Sequence, residues 1–344
     1  MSTIPDGVVH PVWDVHAHYL PPEAIGPMGE GTVQVRLEDV GGVPDSITVN
    51  HVPVGATIHQ LSDVASIVAA TDRAGIDVRV LSPPPFTYRY WNDPEASLEL
   101  CRLLNEATAE VVRAHPDRFE GLATVPLQDT DASIAEFRRA RDELGLVGVT
   151  VGTNVAGANV SDHQRRPFLA EVAARGMPVL VHPDFVPGPR IDRYYLVNLI
   201  GMPHETAITM GNMIFSGLFD ELPDLRVCFM HGGGAVPAIL GRWDAGWRVR
   251  PESRADTDKP PSAYLGNVYC DTLTHSPLAL TNLVEILGAE NVVVGTDMPF
   301  DVEDPDPRAH LRDAPRLTDE QRRVIESVSP VRWLTGSAPA GEEI

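Results

Sequence analysis

The sequence predicts an α/β protein, a (β/α)8 TIM barrel with a small insertion after the first strand, and two observations carry this prediction. Short apolar runs rich in β-branched residues recur along the chain, and segments with apolar residues at three- and four-residue spacing separate them. Near-continuous apolar runs are typical of parallel strands covered on both faces, and eight such runs fit one barrel. An open doubly wound sheet is the alternative, but no GxGxxG motif follows the first run.

The predicted elements alternate along the chain. Strands are predicted at residues 12–18, 78–84, 119–127, 146–153, 178–184, 226–233, 267–273 and 292–300. Helices are predicted at 59–75, 94–115, 133–145 and 277–288, the last two ending on glycine, and a final helix around 319–328. Residues 1–344 are therefore predicted to form a single barrel domain with a C-terminal helical tail at about 305–344.

The interval from residue 19 to residue 58 interrupts this alternation. It is rich in proline and glycine, and VQVRLEDV followed by SITVNHVPV predicts a small hairpin. Because it follows the first strand, it extends from the end of the barrel where active sites lie. It is either a lid over that end or a surface insertion without a function.

Composition excludes several kinds of enzyme. The chain has 344 residues and a net charge of −21, and Lys259 is its only lysine. Schiff-base enzymes, pyridoxal-phosphate enzymes and GKS or GKT phosphate loops each need a lysine at the reacting centre. Lys259 lies in the polar stretch ADTDKPPS, which is typical of a surface loop. None of these chemistries is therefore expected.

Charge and cysteine content bound the partners and the compartment. A net charge of −21 argues against nucleic-acid and anionic-membrane partners, since both require basic surface. An anionic substrate would need local positive charge. The three cysteines form no CxxC motif, the N-terminus lacks a signal-peptide pattern, and no apolar run is long enough to span a membrane. We therefore expect a cytoplasmic protein.

Chemistry-bearing residues lie at the carboxyl ends of four predicted strands. His16 and His18 end the first strand and, two residues apart, point to the same face, where two imidazoles can chelate a metal ion. His182, His231 and Asp297 end strands five, six and eight. Each alone could be a hydrogen-bonded core residue. As a set around one barrel mouth they would be costly without a bound divalent cation.

Several motifs, in order, resemble the amidohydrolase superfamily, and within it the aminocarboxymuconate-semialdehyde decarboxylase-like branch. They are DVHAHYLPPE, YWNDPEASLELCRLLN, RFEGLATVPLQ, HPDF, NLIGMPHETA, HGGGAVPAILGRW, YCDTLTH and VVVGTDMPFD. The resemblance spans about residues 12–300. It implies a metal-dependent barrel enzyme with one divalent metal ion, most often zinc and alternatively manganese.

The resemblance also implies roles for individual residues. The metal ligands would be His16, His18, His182 and Asp297, and His231 would be the acid/base residue beside the metal-bound water, with Asp297 as a second proton relay. Arg242 would reach the neighbouring active site of a homodimer and bind the substrate carboxylate. Arg190 and Tyr195 would lie on the substrate side. For Arg242 and Arg190 the alternative is an ordinary ion pair at the protein surface.

The strand ends also limit the number of metal ions. Many amidohydrolases bridge two metals through a carbamylated lysine at the end of the fourth strand, but LVGVTVGTN has none. One metal ion is therefore expected.

The predicted activity is non-oxidative decarboxylation of a small unsaturated or aromatic carboxylic acid. The lid stretch SITVN offers Thr48 or Asn50 where the founding decarboxylase carries an arginine, so a mono-carboxylated, phenolic or more polar substrate is favoured over aminocarboxymuconate itself. Hydrolysis of an amide or lactone, or hydration of an unsaturated acid, at the same site is the alternative. A non-catalytic metal-binding protein is a third.

Overall fold

The computed structural model describes residues 10–31, 33–184 and 188–339, and its centre is a barrel of eight parallel strands. The strands, in chain order, are β1 (Trp13–His18), β2 (Val35–Val40), β3 (Val43–Val49), β4 (Val52–Thr57), β5 (Val78–Ser82), β6 (Phe119–Ala123), β7 (Gly148–Val151), β8 (Asn154–Val155), β9 (Ala158–Asn159), β10 (Val179–Val181), β11 (Val227–Phe229), β12 (Val268–Asp271) and β13 (Val292–Val293). The barrel order is β1-β5-β6-β7-β10-β11-β12-β13, and all these pairings are parallel.

The barrel closes between its last and first strands. The N–H of Val15 donates to the carbonyl of Val294 at 2.9 Å, and Ala17 forms a parallel bridge to Met298. The predicted (β/α)8 barrel is thus confirmed.

Helices surround the barrel. In the described residues they are α1 (Ile25–Met28), α2 (Ile58–Ser62), α3 (Val64–Arg73), α4 (Pro94–Ala114), α5 (Thr130–Asp142), α6 (Arg166–Ala174), α7 (Met202–Phe215), α8 (Leu218–Glu221), the one-turn segment α9 (Met230–Gly233), α10 (Val236–Val249), α11 (Pro277–Leu287), α12 (Pro307–Asp313), α13 (Asp319–Arg323) and α14 (Ser329–Thr335). Side chains cap several of their N-termini; the Asp93 carboxylate, for example, accepts the first N–H groups of α4. The predicted helix at 59–75 is divided at Asp63, whose carboxylate accepts the N–H of Ser66 at 3.0 Å and so starts α3. Within the described residues, no helix combines the length and the apolar character needed to span a bilayer.

The amino-terminal end of the barrel is filled and covered. Inward-facing side chains form one buried cluster that includes Val15, Val80, Leu122, Leu180, Cys228 and Val293, together with Trp333 of α14. Arg226, which immediately precedes β11, donates its Nε to the carbonyl of Trp333 at 2.7 Å. Because Arg226 precedes β11 and bonds to Trp333 of α14, this helix covers the amino-terminal end of the barrel. A functional site is therefore expected at the carboxyl end of the barrel.

The insertion after β1 differs from the predicted hairpin. It is a three-stranded antiparallel sheet, β2-β3-β4, because the chain reverses a second time within SITVNHVPV. Asn50 and His51 make this turn with φ of 51° and 66°, left-handed values that asparagine tolerates better than most residues. Ile47 and Val54 are buried and pack with Leu20 and Phe86, so the sheet has its own apolar contact with the barrel mouth.

Candidate metal centre

The structure brings the five predicted strand-end residues together at the carboxyl end of the barrel. Asp297 Oδ1 lies 3.2 Å from His16 Nε2, 3.0 Å from His18 Nε2 and 4.0 Å from His182 Nε2. Asp297 Oδ2 lies 3.5 Å from His231 Nε2. Four imidazoles therefore surround one carboxylate.

Burial and missing hydrogen bonds indicate that this cluster fits a metal ion. His16 and His18 are fully buried, and the Nε2 atoms of His16 and His182 have no hydrogen-bond partner among the described residues. His16, His182, His231 and Asp297 each offer a ligand atom, and these atoms lie within 4.8 Å of one another. Buried imidazole nitrogens without partners are unfavourable, and a divalent cation would satisfy them.

The structure does not decide which four residues coordinate. His231 lies among the ligand atoms that share one space, and His18 touches the carboxylate, so both are within reach. The set His16, His18, His182 and Asp297 stays a prediction.

The electrostatics of the cluster call for positive charge at its centre. Burial by itself would lower the pKa of His16, but Asp297 and Asp271 outweigh it and raise the pKa to about 10. Burial lowers the pKa of His182 to about 3, which keeps that imidazole neutral and able to ligate. For Asp297, burial opposes ionisation, but His16, His18 and His182 hold the pKa of the carboxyl well below its usual range. A cation bound here would supply the charge that both carboxylates attract.

Asp271, at the end of β12, holds two of these histidines in place. Its Oδ2 is 2.7 Å from His16 Nδ1 and accepts the N–H of His231 at 3.0 Å, and its Oδ1 accepts the N–H of Gly232 at 2.6 Å. A carboxylate behind a ligating histidine fixes its tautomer and orientation. Asp271 lies within YCDTLTH, and its role is not among those predicted from the sequence. Its position at a strand end, like that of Asp297, was the available signal.

The backbone at the site is unusual. His231 and Asp297 have φ of 57° and 62°, left-handed values that are strained for residues with a side chain. Gly295 explains how the strands approach: a Cβ there would lie 2.7 Å from the Cβ of Asp271 and 2.8 Å from the Cβ of His16. Glycine is thus required where β12 and β1 converge on the cluster.

A buried ion pair lies beneath the cluster. Arg79 Nη1 lies 2.5 Å from Asp14 Oδ2 and also donates to Thr296 Oγ1 at 2.8 Å. Thr296 in turn donates its hydroxyl to Asp14 at 2.7 Å, and Asp14 accepts the N–H of His16 at 3.0 Å. This network joins the first and last barrel strands directly below His16 and Asp297.

A narrow cavity adjoins the cluster. His182 and Asp297 line it together with the polar side chains of Tyr195 and Asn198 and with apolar side chains, which are Val54, Pro85, Phe86, Met202, Phe300 and Val302. Its volume is ≈ 20 Å³, about enough for one water molecule, so a substrate ring does not fit in this conformation. Val54 belongs to β4, and the insertion therefore contributes to the cavity wall as a lid would.

The predicted substrate-side residues separate into two groups. Tyr195 lines the cavity, and burial, Asp301 and Asp297 raise the pKa of its hydroxyl to about 12. Arg190 and Arg242 are exposed and do not line the cavity. Arg242 forms no ion pair within the described part of the chain, so the surface-pair alternative has no support there. Phe185 of the HPDF motif lies outside the described residues.

Comparisons with known proteins identify the family of the chain. The sequence model of the amidohydrolase family matches residues 13–334. A 2-amino-3-carboxymuconate-6-semialdehyde decarboxylase of Dictyostelium discoideum is 41% identical over 67% of this chain and 64% of its own length, so the alignment spans less than two thirds of that relative. A γ-resorcylate decarboxylase of Rhodococcus jostii is 30% identical over 85% of this chain and 95% of its own.

A solved structure extends the likeness to the fold. The 5-carboxyvanillate decarboxylase of Sphingomonas paucimobilis superposes with a TM-score of 0.79 at 26% identity, covering 95% of this chain and 99% of the other. The chain belongs to the amidohydrolase family and, within it, to the branch that resembles aminocarboxymuconate-semialdehyde decarboxylase.

Proposed function

We propose that the protein is a metal-dependent, non-oxidative decarboxylase of a small unsaturated or aromatic carboxylic acid. The observation that carries the proposal is the cluster of four histidines and Asp297, of which only His231 is partly exposed, beside a mostly apolar cavity. The relatives named as decarboxylases support it.

The proposed cofactor is one divalent metal ion, zinc first and manganese as the alternative. Imidazole nitrogens and one carboxylate are ligands that zinc takes in catalytic sites. His16, His18, His182 and Asp297 would hold it. When bound, the ion supplies positive charge that binds the substrate carboxylate and stabilises enolate-like charge. A single ion is proposed because Val151 and Thr153, at the end of the fourth barrel strand, offer no lysine to bridge two.

The chain's own residues would manage the proton. In the proposed reaction, the carbon that bears the carboxylate gains a proton and its bond to the carboxylate breaks. The electron pair of that bond returns to the unsaturated system, and carbon dioxide leaves. His231 is placed for this transfer because its side chain is partly exposed and its Nε2 is 3.5 Å from Asp297. The backbone N–H of His231 donates a hydrogen bond to Asp271, which holds the His231 backbone in its left-handed conformation.

The cavity wall indicates the substrate class. Phe86, Phe300, Val54 and Val302 are suited to a planar apolar ring, and Tyr195 and Asn198 add polar groups. Because the cavity has room for about one water molecule, its wall has to open for such a ring to enter, and Val54 of β4 is part of that wall. Arg242, which is exposed and outside this cavity, would act from a second subunit of a homodimer, and Arg190 would lie at the rim.

Incubation with candidate aromatic acids tests the activity. Release of carbon dioxide with a product that lacks one carboxyl group is expected, and the release should stop on chelation and return with zinc or manganese. A metal assay of the purified protein identifies the ion. Products that gain water without losing carbon dioxide would contradict decarboxylation.

His231 can be tested by substitution with asparagine. Loss of its proton transfer should lower kcat by about 10²- to 10⁴-fold while leaving metal content unchanged. His275→Asn is a matched control, since His275 also has a left-handed backbone but lies outside the cluster. Equal kcat values for His231→Asn and wild type would show that His231 does not transfer the proton.

Hydrolysis or hydration by the same site is the second candidate. It is favoured by the position of Arg242 outside the cavity, since a neutral substrate would need no such arginine. For a decarboxylase, Arg242→Ala should reduce kcat/KM for acid substrates by about tenfold or more, the loss of one charged hydrogen bond. Unchanged activity in this variant would favour the hydrolytic reading and argue against a shared dimer site.

A further inference from the structure

Arg89 is a buried arginine that lacks a negatively charged partner among the described residues. Only 1% of the surface of Arg89 is exposed to solvent. Nη2 donates to the carbonyl of Glu30 at 3.0 Å, whereas Nε and Nη1 are buried with no hydrogen-bond partner. Burial lowers the pKa of this guanidinium, and no carboxylate opposes that effect. A buried cation with donors unused is strongly unfavourable unless something pairs with it.

The surrounding backbone holds Arg89 in this position. Its φ is +46°, in the left-handed region. Its carbonyl accepts the N–H of Asn92 at 2.9 Å and the hydroxyl of Ser97 at 3.3 Å. Tyr88 and Tyr90, on either side, are buried and tied by their hydroxyls to the end of the fourth barrel strand. Strain of this kind persists where neighbours enforce it and is frequent at ligand sites.

The guanidinium contacts the insertion that carries the lid strands. Nη2 donates to the carbonyl of Glu30 in that insertion, and a Cβ on the next residue, Gly31, would lie 3.6 Å from Nη2. Phe86, three residues before Arg89 in the chain, lines the cavity. Arg89 is thus a buried positive charge against the lid, on the segment that leads from the cavity wall.

The geometry points to a binding site for a carboxylate group at Arg89. A planar guanidinium with free donors matches a planar carboxylate, and the buried setting excludes larger hydrated anions. The carboxylate could belong to a separate small acid, or it could be a second carboxylate of the substrate. The second source rests on the proposed function, whereas the first does not.

Thermal unfolding and calorimetric titration of the metal-loaded protein test the site with formate, and with formamide as the neutral control. Formate should raise the melting temperature of wild type and of Arg36→Met, because Arg36 is an exposed arginine of the lid whose side chain donates to Gln34. Arg89→Met should lose this response. Its affinity for formate should fall about 10- to 100-fold, the loss of charge-assisted hydrogen bonds.

Benzoate and isophthalate distinguish the two sources. If the substrate supplies the carboxylate, Arg89→Met should weaken isophthalate but not benzoate. If a separate acid supplies it, formate and benzoate should bind wild type together. Equal responses of Arg89→Met and Arg36→Met to every carboxylate would overturn the site.

If Arg89→Met fails to fold, the formate titration is done on Arg89→Lys and wild type instead. The proposal is wrong if wild type shows no saturable response to formate that exceeds its response to formamide. Failure of the decarboxylase activity would leave the formate result standing.

Discussion

Arg79 lies at the start of β5, and Arg89 lies shortly after the end of that strand. Each is 1% exposed, but their hydrogen-bonding surroundings differ. Arg79 bonds to Asp14, Thr296 and Thr71, so its charge is paired and its Nε and Nη1 both donate. Arg89 bonds to one carbonyl. The comparison teaches that burial alone does not assign a role to an arginine. A paired guanidinium holds structure together, whereas an unpaired one is available to a ligand.

The largest expected effect is at the paired arginine. Arg79→Met leaves the Asp14 carboxylate buried without a cation, and loss of one partner of a buried pair destabilises by about 3–5 kcal/mol. The free energy of unfolding from urea denaturation measures this. Arg89→Met should change it by less than about 1 kcal/mol without ligand, since it removes an uncompensated charge.

A double variant serves as the control for the first prediction. Asp14→Asn combined with Arg79→Met removes both charges, so its loss of stability should be smaller than the sum of the two single losses. If Arg79→Met and Arg89→Met are equally destabilising, the distinction between a structural and a ligand-binding arginine fails.

The next effect concerns the other buried carboxylate that organises the site. Asp271→Asn weakens the support of His16 and of the His231 turn, so metal affinity should fall about 10- to 100-fold. Competition with a chelator of known affinity measures this. The surface variant Asp313→Asn, whose carboxylate pairs with the exposed Arg312, should bind metal like wild type. Unchanged affinity in Asp271→Asn would mean that Asp271 holds only the backbone.

The strand-end residues could be predicted because their chemistry is local. An imidazole or carboxylate that follows an apolar run is visible in the sequence, and a barrel brings all such ends to one mouth. His16, His18, His182, His231 and Asp297 were found in this way. The role of Asp271 could not be predicted, since it depends on a contact with His16 on another strand.

Other features could not be predicted because they depend on tertiary packing. The lid was expected as one hairpin, and its third strand follows from two left-handed residues, Asn50 and His51, in a stretch that otherwise alternates like a strand. Arg89 resembles any polar residue beside two tyrosines. Both guanidinium groups are buried, and among the described residues the lack of a paired carboxylate is what distinguishes Arg89 from Arg79.

The smallest expected effect extends the comparison to paired arginines at the surface. Arg138 donates to Glu171 through Nε and Nη2 at 2.8 and 2.9 Å, and Arg175 donates to the same carboxylate. Arg138 and then Arg175 lower the pKa of Glu171 from 4.5 to about 2. A depressed carboxyl pKa stabilises the fold above the unfolded-state value, so this contribution is present above pH 4.5 and is lost as the pH falls toward 2.

Although the Glu171 shift is large, water screens the partly exposed Arg138 and Arg175, so the contribution should be about 1 kcal/mol or less. Urea unfolding of wild type and Glu171→Gln at pH 7 should show this small difference, and it should shrink with salt and with falling pH over the range in which wild type stays folded. A loss as large as that of Arg79→Met would show that pairing alone sets the contribution of an arginine. A small loss would show that the contribution of a paired arginine to stability increases with its burial. By the same reasoning, an arginine as buried as Arg89 and without a partner is expected to bind a ligand.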